Sequence, residues 1–324
     1  MTDKPGVWVE FLSDPEVRSA LPAVAPHLGR IHLSISTTRF FSDEFAALTR
    51  QAKECGLDVY LWPLFPIERG YWLGEHNAAE LQEVMQGLLR WRDAPGGPSF
   101  DGVSFDLEPG HAYAERLRTS KLHRLPTLLI EHVDPAAFER ARLLFARALD
   151  TLHQGQLRAH AVAFPLVLDD APGDRVLEDA LDTPVSDLDW DEVSFMVYQT
   201  AFTQLAGLWF GPSLVAAYAQ AAVARFGERA GLDLGVVGGP ALGLDAGDRY
   251  PDPTVLAADL AAAHGAGIPY AQIRVYGLAG LLEEGGAGRW LGQLPPCATP
   301  AISQETTGLR AGIQALSRAL KAAT

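Results

Sequence analysis

Eight short runs with β-strand character recur along the 324-residue chain, and longer helical patterns separate most of them. The runs are 6–12, 31–36, 57–63, 101–108, 157–164, 191–199, 232–239 and 271–277. The clearest helical patterns are 42–54, 77–92, 135–154, 212–228 and 253–265, with Asp43, Asn77, Asp134 and Pro212 as start signals. Strands that alternate with helices over about 290 residues predict a single (β/α)8 TIM barrel, for which about 250 residues is typical.

An open, doubly wound parallel sheet is the alternative arrangement of this alternation. It is disfavoured because no glycine-rich phosphate-binding fingerprint follows the first run. We therefore predict one catalytic-type barrel over residues 1–294. Residues 295–324 combine a proline-containing linker with a helical pattern over 303–322, which we expect to pack on the outside of the barrel.

Charge and composition exclude several classes of partner. Asp and Glu outnumber Lys and Arg by 40 to 26, a net charge of -14, which argues against nucleic acid or an anionic membrane as the main partner. Cys55 and Cys297 have no His or Cys companions at ligand spacing, so no zinc site is predicted. The first twelve residues lack a signal-peptide pattern, and no apolar run is long enough to span a bilayer. We expect a cytoplasmic protein as written, or a secreted one if a signal had been removed.

Polar and apolar side chains alternate along the predicted strands. In the run 101–108, Ser104, Asp106 and Glu108 share one face, and the other face is apolar. Because the apolar face should pack against the outer helices, the polar face is predicted to point to the barrel axis. The same alternation predicts further inward residues: Trp8, Glu10, His32, Tyr60, Trp62, Met196, Tyr198, Arg274 and Tyr276. Since buried polar groups need partners, so large a set predicts a solvated pocket for a polar ligand.

Asp106 and Glu108 are the candidate acid pair. Residues two apart on a strand lie about 7 Å apart, so two charged carboxyls there repel each other and one pKa should rise. Glu108, nearer the carboxyl-terminal mouth, is predicted to donate a proton, with Asp106 beneath it as partner. The structural alternative is an ion pair of these acids with an inward Arg274. Asp101 is expected to be a strand-start residue, and His32 a satisfied interior histidine.

Two long connections, 64–76 and 109–134, should rise over the mouth, where the active sites of such barrels lie. Aromatic residues in or next to mouth loops can stack on sugar faces or anchor loops in the core, and both interpretations stay open. These aromatic residues are Trp62, Tyr71, Trp72, Trp209 and Phe210. A metal site at His111 and Glu108 is disfavoured because too few convergent ligands can be named.

Two short motifs resemble those of glycoside hydrolase family 18, which contains chitinases and endo-β-N-acetylglucosaminidases. The run DGVSFDLE (101–108) resembles the family's fourth-strand signature D-G-x-D-x-D-x-E, and MVYQ (196–199) resembles its M-x-Y-D or M-x-Y-N motif on strand six. The matching residues are Asp101, Gly102, Asp106, Glu108, Met196 and Tyr198. Ser104 replaces an aspartate of the family, Gln199 departs conservatively, and Tyr276 stands where the family often has tryptophan.

The resemblance implies a substrate-assisted retaining glycosidase without metal or cofactor. Glu108 would protonate the glycosidic oxygen, and Asp106 would orient the N-acetyl group whose carbonyl oxygen attacks the anomeric carbon. Tyr198 would donate a hydrogen bond to that group. The candidate substrate-binding residues are Glu10, Trp62, Ser104, Met196, Gln199, Arg274 and Tyr276.

The short interval between the seventh and eighth runs leaves no room for the α+β insertion domain that walls a deep cleft in some chitinases. A short oligosaccharide, a peptidoglycan-type fragment or a glycoconjugate is therefore the expected ligand, rather than a crystalline polymer. The departures at Ser104, Gln199 and Tyr276 favour an alternative, a non-hydrolytic carbohydrate-binding barrel. A third hypothesis is a barrel enzyme of different chemistry, which a dense cluster of metal ligands at the mouth would favour.

Overall fold

The computed structural model describes residues 3–120 and 124–324. Eight parallel strands close into a barrel in chain order, which confirms the predicted (β/α)8 fold. They are β1 Gly6–Val9, β2 Arg30–Ser36, β3 Asp58–Leu64, β4 Gly102–Asp106, β5 Arg158–Ala163, β6 Glu192–Met196, β7 Ala230–Gly235 and β8 Ile273–Tyr276. The barrel closes where β8 pairs with β1, with Trp8 opposite Tyr276.

The helices lie outside the strands and match the predicted patterns to within a few residues, apart from the one after β3. They are α1 Asp14–Val24, α2 Asp43–Glu54, α3 Leu81–Arg92, α4 His111–Thr119, α5 Leu125–His132, α6 Pro135–Gln154, α7 Val176–Ala180, α8 Gln199–Ala206, α9 Pro212–Phe226, α10 Pro253–Gly265, α11 Leu278–Glu283, α12 Ala287–Leu291 and α13 Gln304–Ala323. The predicted connection 109–134 thus forms α4 and α5, and residues 121–123 within it lie outside the described residues.

Side-chain caps explain several helix starts. Asp134 accepts hydrogen bonds from the backbone of Ala136 and Ala137 at 3.1 and 3.0 Å, as a residue that precedes a helix should. The prediction that Asn77 starts a helix was wrong. Its side chain instead accepts a 3.1 Å bond from the Gly74 amide inside a 3-10 turn over 75–80, and α3 begins only after that turn.

The apolar faces of the strands pack against the helices, as their alternation predicted. Phe105 of β4 is fully buried, with its ring centroid 5.0 Å from that of Trp190 and 6.2 Å from that of Phe145 on α6. Its neighbour Ser104 points the opposite way, into the barrel. The face assignment along β4 is therefore confirmed.

The last helix, α13, packs on the outside of the barrel. Arg310 pairs with the buried Asp169 at 2.7 Å, and Ser317 donates to Asp170 at 2.5 Å. Leu320 is fully buried. The boundary between barrel and tail at residue 294 stays a prediction. No helix in the described ranges has both the length and the apolar character that crossing a membrane requires.

Candidate active site

Below the mouth, towards the amino-terminal ends of the strands, the barrel interior contains a chain of hydrogen bonds between four strands. His32 contacts Ser104 at 2.7 Å, Ser104 contacts His160 at 3.2 Å, and His160 contacts Ser194 at 2.8 Å. All four side chains are buried. Ser104, predicted to bind substrate, therefore lies beneath the mouth with its hydroxyl already occupied, whereas His32 is the interior histidine that was expected.

Beside this chain lies an ion-paired layer, formed by Arg30, Glu192, Asp233 and Arg274. The Arg274 Nε donates to Asp233 at 2.8 Å, and its Nη1 pairs with Glu192. Arg30 donates to the other Glu192 oxygen at 2.6 Å. Burial opposes the charge of Glu192, but the guanidiniums of Arg274 and Arg30 outweigh it and lower the pKa of Glu192 to about 2.

This layer corrects two predictions and rules out one alternative. The solvated pocket does not extend through the barrel, because its lower part is filled by paired, buried side chains. Arg274 was predicted to bind substrate, but it is fully buried and bonded to Glu192 and Asp233, so it does not reach the mouth. The alternative in which Arg274 pairs with Asp106 and Glu108 is also wrong.

At the mouth lie three carboxyl groups, here called the rim acids: Glu10, Asp106 and Glu108. Asp106, at the end of β4, is only 5% exposed, and its Oδ1 has no hydrogen-bond partner in the described part of the chain. Burial raises the pKa of Asp106 well above its ordinary value, and the charges of Glu108 and Glu10 raise it further. Burial, followed by the charge of Glu10, raises the pKa of Glu108 to about 8. Glu108 is thus a protonated, partly exposed acid at neutral pH.

The connection between β3 and α3 places Glu108 at the rim. Strand β4 ends at Asp106, but Leu73 continues its ladder: the Leu73 amide donates to the Asp106 carbonyl, and the Glu108 amide donates to the Leu73 carbonyl, both at 3.0 Å. On the other side, the Leu107 amide donates to the Val162 carbonyl at 2.8 Å. Glu108 therefore stands one step beyond the strand, held by a loop.

Two tyrosines hold Glu10. The Tyr71 hydroxyl donates to Glu10 at 2.5 Å, and the Tyr276 hydroxyl donates to its other oxygen. Burial raises the pKa of Glu10, and these two donors act in the opposite direction. The Tyr198 ring lies 6.4 Å from the Tyr276 ring. Burial, together with the charges of Asp233 and the rim acids, raises the pKa of Tyr198 well above its ordinary value, so its hydroxyl keeps its proton.

The aromatic residues predicted to lie in or next to mouth loops divide into buried and exposed ones. Trp62, Trp72 and Met196 are buried and pack together with Trp8 and Tyr276, so the two tryptophans anchor the mouth rather than face solvent. Trp209 is 59% exposed, whereas Phe210 beside it is 3% exposed.

Helix α4 covers one side of the mouth without sealing it. Ala114 of α4 packs against the apolar cluster there, yet Glu10, Glu108 and Tyr198 keep partly exposed side chains. The structure thus brings the rim acids together with Tyr198, Tyr276, Trp62 and Met196. It leaves Ser104, Arg274 and the fully buried Gln199 below the surface.

Other features of the surface lie apart from these residues. A depression of about 370 Å³ lies between residues 37–41 and α3, and none of the rim acids lines it. The His111 ring lies 6.0 Å from that of Trp72. Within residues 3–120 and 124–324, no three His, Cys, Asp or Glu side chains converge as metal ligands.

Sequence reasoning missed Glu192 and Asp233. Their signal was present, because Glu192, Ser194 and Met196 share one face of β6, and Asp233 lies between two apolar leucines on β7. Strand alternation alone, however, does not show which residue on another strand a buried acid will meet.

Comparison with known proteins identifies the fold but no family. No protein-family model and no curated protein matches the sequence. The glycoside hydrolase domain of PgaB (BpsB) from Bordetella bronchiseptica is similar in structure, with a TM-score of 0.53 and 13% identity over 91% of this chain and 99% of that one. A class V chitinase from Pseudomonas fluorescens Pf-5 is also similar, with a TM-score of 0.56 and 13% identity over 89% of this chain and 97% of that one. The chain therefore has the barrel fold of these two proteins.

Proposed function

We propose that this protein is a glycoside hydrolase that cleaves next to an N-acetylhexosamine. The observation that carries the proposal is the placement of Asp106 and Glu108 side by side at the mouth, both with raised pKa and neither with an arginine or lysine partner in the described residues. A protonated acid that keeps partial access to solvent is what glycosidic bond cleavage needs. The fold shared with two carbohydrate-active proteins and the two family 18 motifs support it.

The proposed mechanism is substrate-assisted and retaining. The N-acetyl carbonyl oxygen forms a bond to the anomeric carbon while the bond to the leaving oxygen breaks, and that oxygen takes the proton of Glu108. Asp106 holds the acetamido nitrogen from below, and Tyr198 donates to the carbonyl oxygen. Water then opens the cyclic intermediate and gives a proton back to the Glu108 carboxylate.

The dimensions of the mouth favour a small ligand. Trp62, Trp72 and Tyr276 are nearly fully buried, so the exposed part of the site is confined to the edges of Glu10, Glu108 and the remaining tyrosines. A short oligosaccharide or a glycoconjugate end can reach these groups. A crystalline polymer surface would need a long open cleft.

The substitution Glu108→Gln tests the proposal. It keeps the shape of the side chain but removes the transferable proton, so we expect hydrolysis of N-acetylglucosamine aryl glycosides to fall by about 10²–10⁴-fold. The matched control is Glu115→Gln on α4, where the exposed glutamate pairs with Arg118 at the surface. Wild type and Glu108→Gln that are equally inert on a broad panel of N-acetylhexosaminides would contradict the proposal.

The burial of Tyr276 and the presence of Ser104 and Gln199 in place of the family residues favour a second candidate, a non-hydrolytic carbohydrate-binding barrel. In that case calorimetry would detect binding of N-acetylglucosamine oligosaccharides without turnover. The affinity would then be the same for wild type and for Glu108→Gln.

A further inference from the structure

A second group of titratable side chains lies next to the rim acids and takes no part in the proposed chemistry. Asp182, in the connection that follows α7, contacts two histidines: His132 Nε2 lies 2.7 Å from its Oδ1, and His76 Nδ1 lies 3.6 Å from its Oδ2. We call these three residues the clasp. Asp182 is only 4% exposed and has a φ of 54°, a left-handed conformation that is unfavourable for a residue other than glycine. Because this backbone conformation is unfavourable, contacts of the surrounding structure must hold Asp182 in place between the two histidines.

The His76 ring packs directly against the turn that follows Glu108. A Cβ atom at Gly110 would lie 3.2 Å from this ring, one at Gly74 would lie 2.9 Å from it, and one at Gly70 would overlap it. A Cβ at Gly74 would also lie 2.8 Å from the Glu108 carbonyl oxygen. The imidazole is thus enclosed by three glycines, two of which lie against or close behind the proposed acid.

Backbone hydrogen bonds join the segment before His76 to the segment that carries Glu108. Besides the two bonds of Leu73, the His111 amide donates to the Gly70 carbonyl at 2.9 Å. The Glu75 amide donates to the Asp182 carbonyl at 3.3 Å. The segments 70–76 and 106–111 therefore form one unit, and the clasp fixes that unit to the connection after β5.

We infer that His76, held by Asp182, is a positioning residue for Glu108: the clasp sets where the proposed proton donor stands relative to Asp106. The inference rests on the proposed function. His76 contacts the backbone around Glu108 and not the reacting atoms, so its effect is on placement. A shift of about 1 Å in a catalytic group can lower a rate by about 10²-fold.

The clasp should weaken as pH rises. Burial opposes a charge on His132, but the Asp182 carboxylate outweighs it and raises the pKa of His132. Burial, then the charges of Asp182 and Asp179, raises the pKa of Glu75 to about 7. Other titratable groups lie around the clasp: the charge of Asp134 acts on Glu75, and the Tyr113 ring stacks on the His132 ring at 3.7 Å between centroids, with the charge of Arg116 acting on Tyr113. Raising the pH removes a charge from His132 and adds one to Glu75.

The two raised pKa values determine whether the clasp gains or loses stability as pH rises. The stabilisation from His132 is complete below the ordinary histidine pKa, near 6.5, and is lost as pH rises through its higher folded value. Glu75 destabilises the fold progressively from its ordinary pKa, near 4.5, up to about 7. The net stability of the folded clasp therefore falls between mildly acidic and alkaline pH, even though the charge of Glu75 itself favours the charged form of His132.

The test compares His76→Ala, His76→Asn and Asp182→Asn with the control His153→Ala. The Asn side chain keeps a donor near the position of Nδ1, so His76→Asn should retain most of the activity. We expect His76→Ala and Asp182→Asn to lower kcat by about 10- to 100-fold with little change in KM, because placement of the acid and not binding is disturbed. They should also flatten the pH dependence of kcat between pH 6 and 8. His153 pairs with Asp191 at 3.1 Å far from the mouth, so its variant should behave as wild type.

Hydrogen–deuterium exchange gives a measurement that does not depend on activity. Asp182→Asn and His76→Ala should speed exchange in peptides covering 70–77 and 106–111, and wild type should show the same local change when pH is raised from 6 to 8 after correction for the intrinsic rate. Unchanged exchange in those peptides would overturn the inference. The inference would also be overturned if His76→Ala and Asp182→Asn both showed wild-type kinetics while Glu108→Gln was inactive. That result would leave the proposed function intact. An inert wild type would instead remove the proposed function, and the exchange experiment would still test the clasp.

Discussion

The barrel contains two sets of buried or partly buried carboxyl groups, and the main difference between their surroundings is the presence of a cation. In the ion-paired layer, Glu192 and Asp233 contact the guanidinium of Arg274, and Glu192 also contacts Arg30. At the mouth, the rim acids have no such partner in the described residues and face one another and tyrosine hydroxyls.

The same residue type therefore titrates very differently at two depths of one barrel. Burial raises the pKa of a carboxyl at both places, but the two arginines bring the pKa of Glu192 down to about 2, whereas Glu108 remains near 8. Glu192 is charged, and its ion pairs with Arg30 and Arg274 hold β2, β6 and β8 together. Glu108, with a pKa of about 8, keeps a proton at neutral pH, and a retained proton is available for transfer.

Removing the shared cation should have the largest effect on the fold. The substitution Arg274→Met leaves Glu192 and Asp233 buried with only Arg30 to neutralise them, so we expect the free energy of unfolding to fall by about 3–5 kcal/mol. Urea unfolding followed by circular dichroism measures it. The control Arg90→Met removes an exposed arginine on α3 and should change stability by less than about 0.5 kcal/mol. If Arg274→Met lowered the free energy of unfolding by less than about 1 kcal/mol, the ion pairs of Arg274 would not explain how Glu192 and Asp233 differ from the rim acids.

Removing one rim acid should have the opposite effect on stability at alkaline pH. Because the pKa of Glu108 is raised when the protein folds, wild type should lose stability as pH rises from about 4.5 to 8. One pKa unit corresponds to about 1.4 kcal/mol, so Glu108→Gln should recover on the order of 2–4 kcal/mol of that loss at pH 9. Unfolding curves at pH 5, 7 and 9 measure it. Parallel curves for wild type and variant would show that Glu108 titrates as an ordinary solvated acid.

A smaller change is expected when Glu10 loses a donor. Tyr71→Phe removes the 2.5 Å hydrogen bond and keeps the ring, so the pKa of Glu10 should rise further, at a cost of about 1 kcal/mol in stability near neutral pH. Carboxyl resonances of ¹³C-labelled glutamate, followed against pH, measure the shift. Tyr113→Phe is the control, because in the described residues the Tyr113 hydroxyl donates to backbone carbonyls, at 3.3 and 3.4 Å, and not to a carboxylate. If the pKa of Glu10 were the same in Tyr71→Phe and in wild type, the Tyr71 hydroxyl would not be what stabilises the charged form of Glu10.

Much of the fold could be predicted because it depends on local patterns. Every predicted strand and the clearest helices are present, and the alternation along β4 gave the correct faces. The ends were less accurate: Glu108 was placed inside a strand, but β4 ends at Asp106. The residue that extends the ladder is Leu73, which belongs to a distant loop and cannot be recognised from the sequence around Glu108.

The sequence predicted which side chains point into the barrel, but not how far from the mouth each of them lies. Arg274 and Tyr276 lie on one face of β8, and alternation treats them alike. The register of β8 with β1 places Arg274 opposite Gly6, in the ion-paired layer, and Tyr276 opposite Trp8, at the mouth. Only that register shows that Tyr276 reaches Glu10 whereas Arg274 meets Asp233. The clasp was invisible for a similar reason, since its residues come from three separate connections.

The smallest effect is expected at Asp101, which matches the family 18 signature but lies at the opposite end of β4 from the rim acids. Its carboxylate accepts from Lys53 Nζ at 2.8 and 2.9 Å and from the Val59 amide at 2.7 Å, which supports its predicted role at the start of the strand. Both charged side chains are partly exposed, so Asp101→Asn should cost about 0.2–1 kcal/mol and less in high salt. The proposed glycosidase activity should not change, because Asp101 precedes β4 at the end opposite the mouth. A large loss of activity would show that the rim acids depend on charges at both ends of the strand, and the contrast between the two sets of acids would then be incomplete.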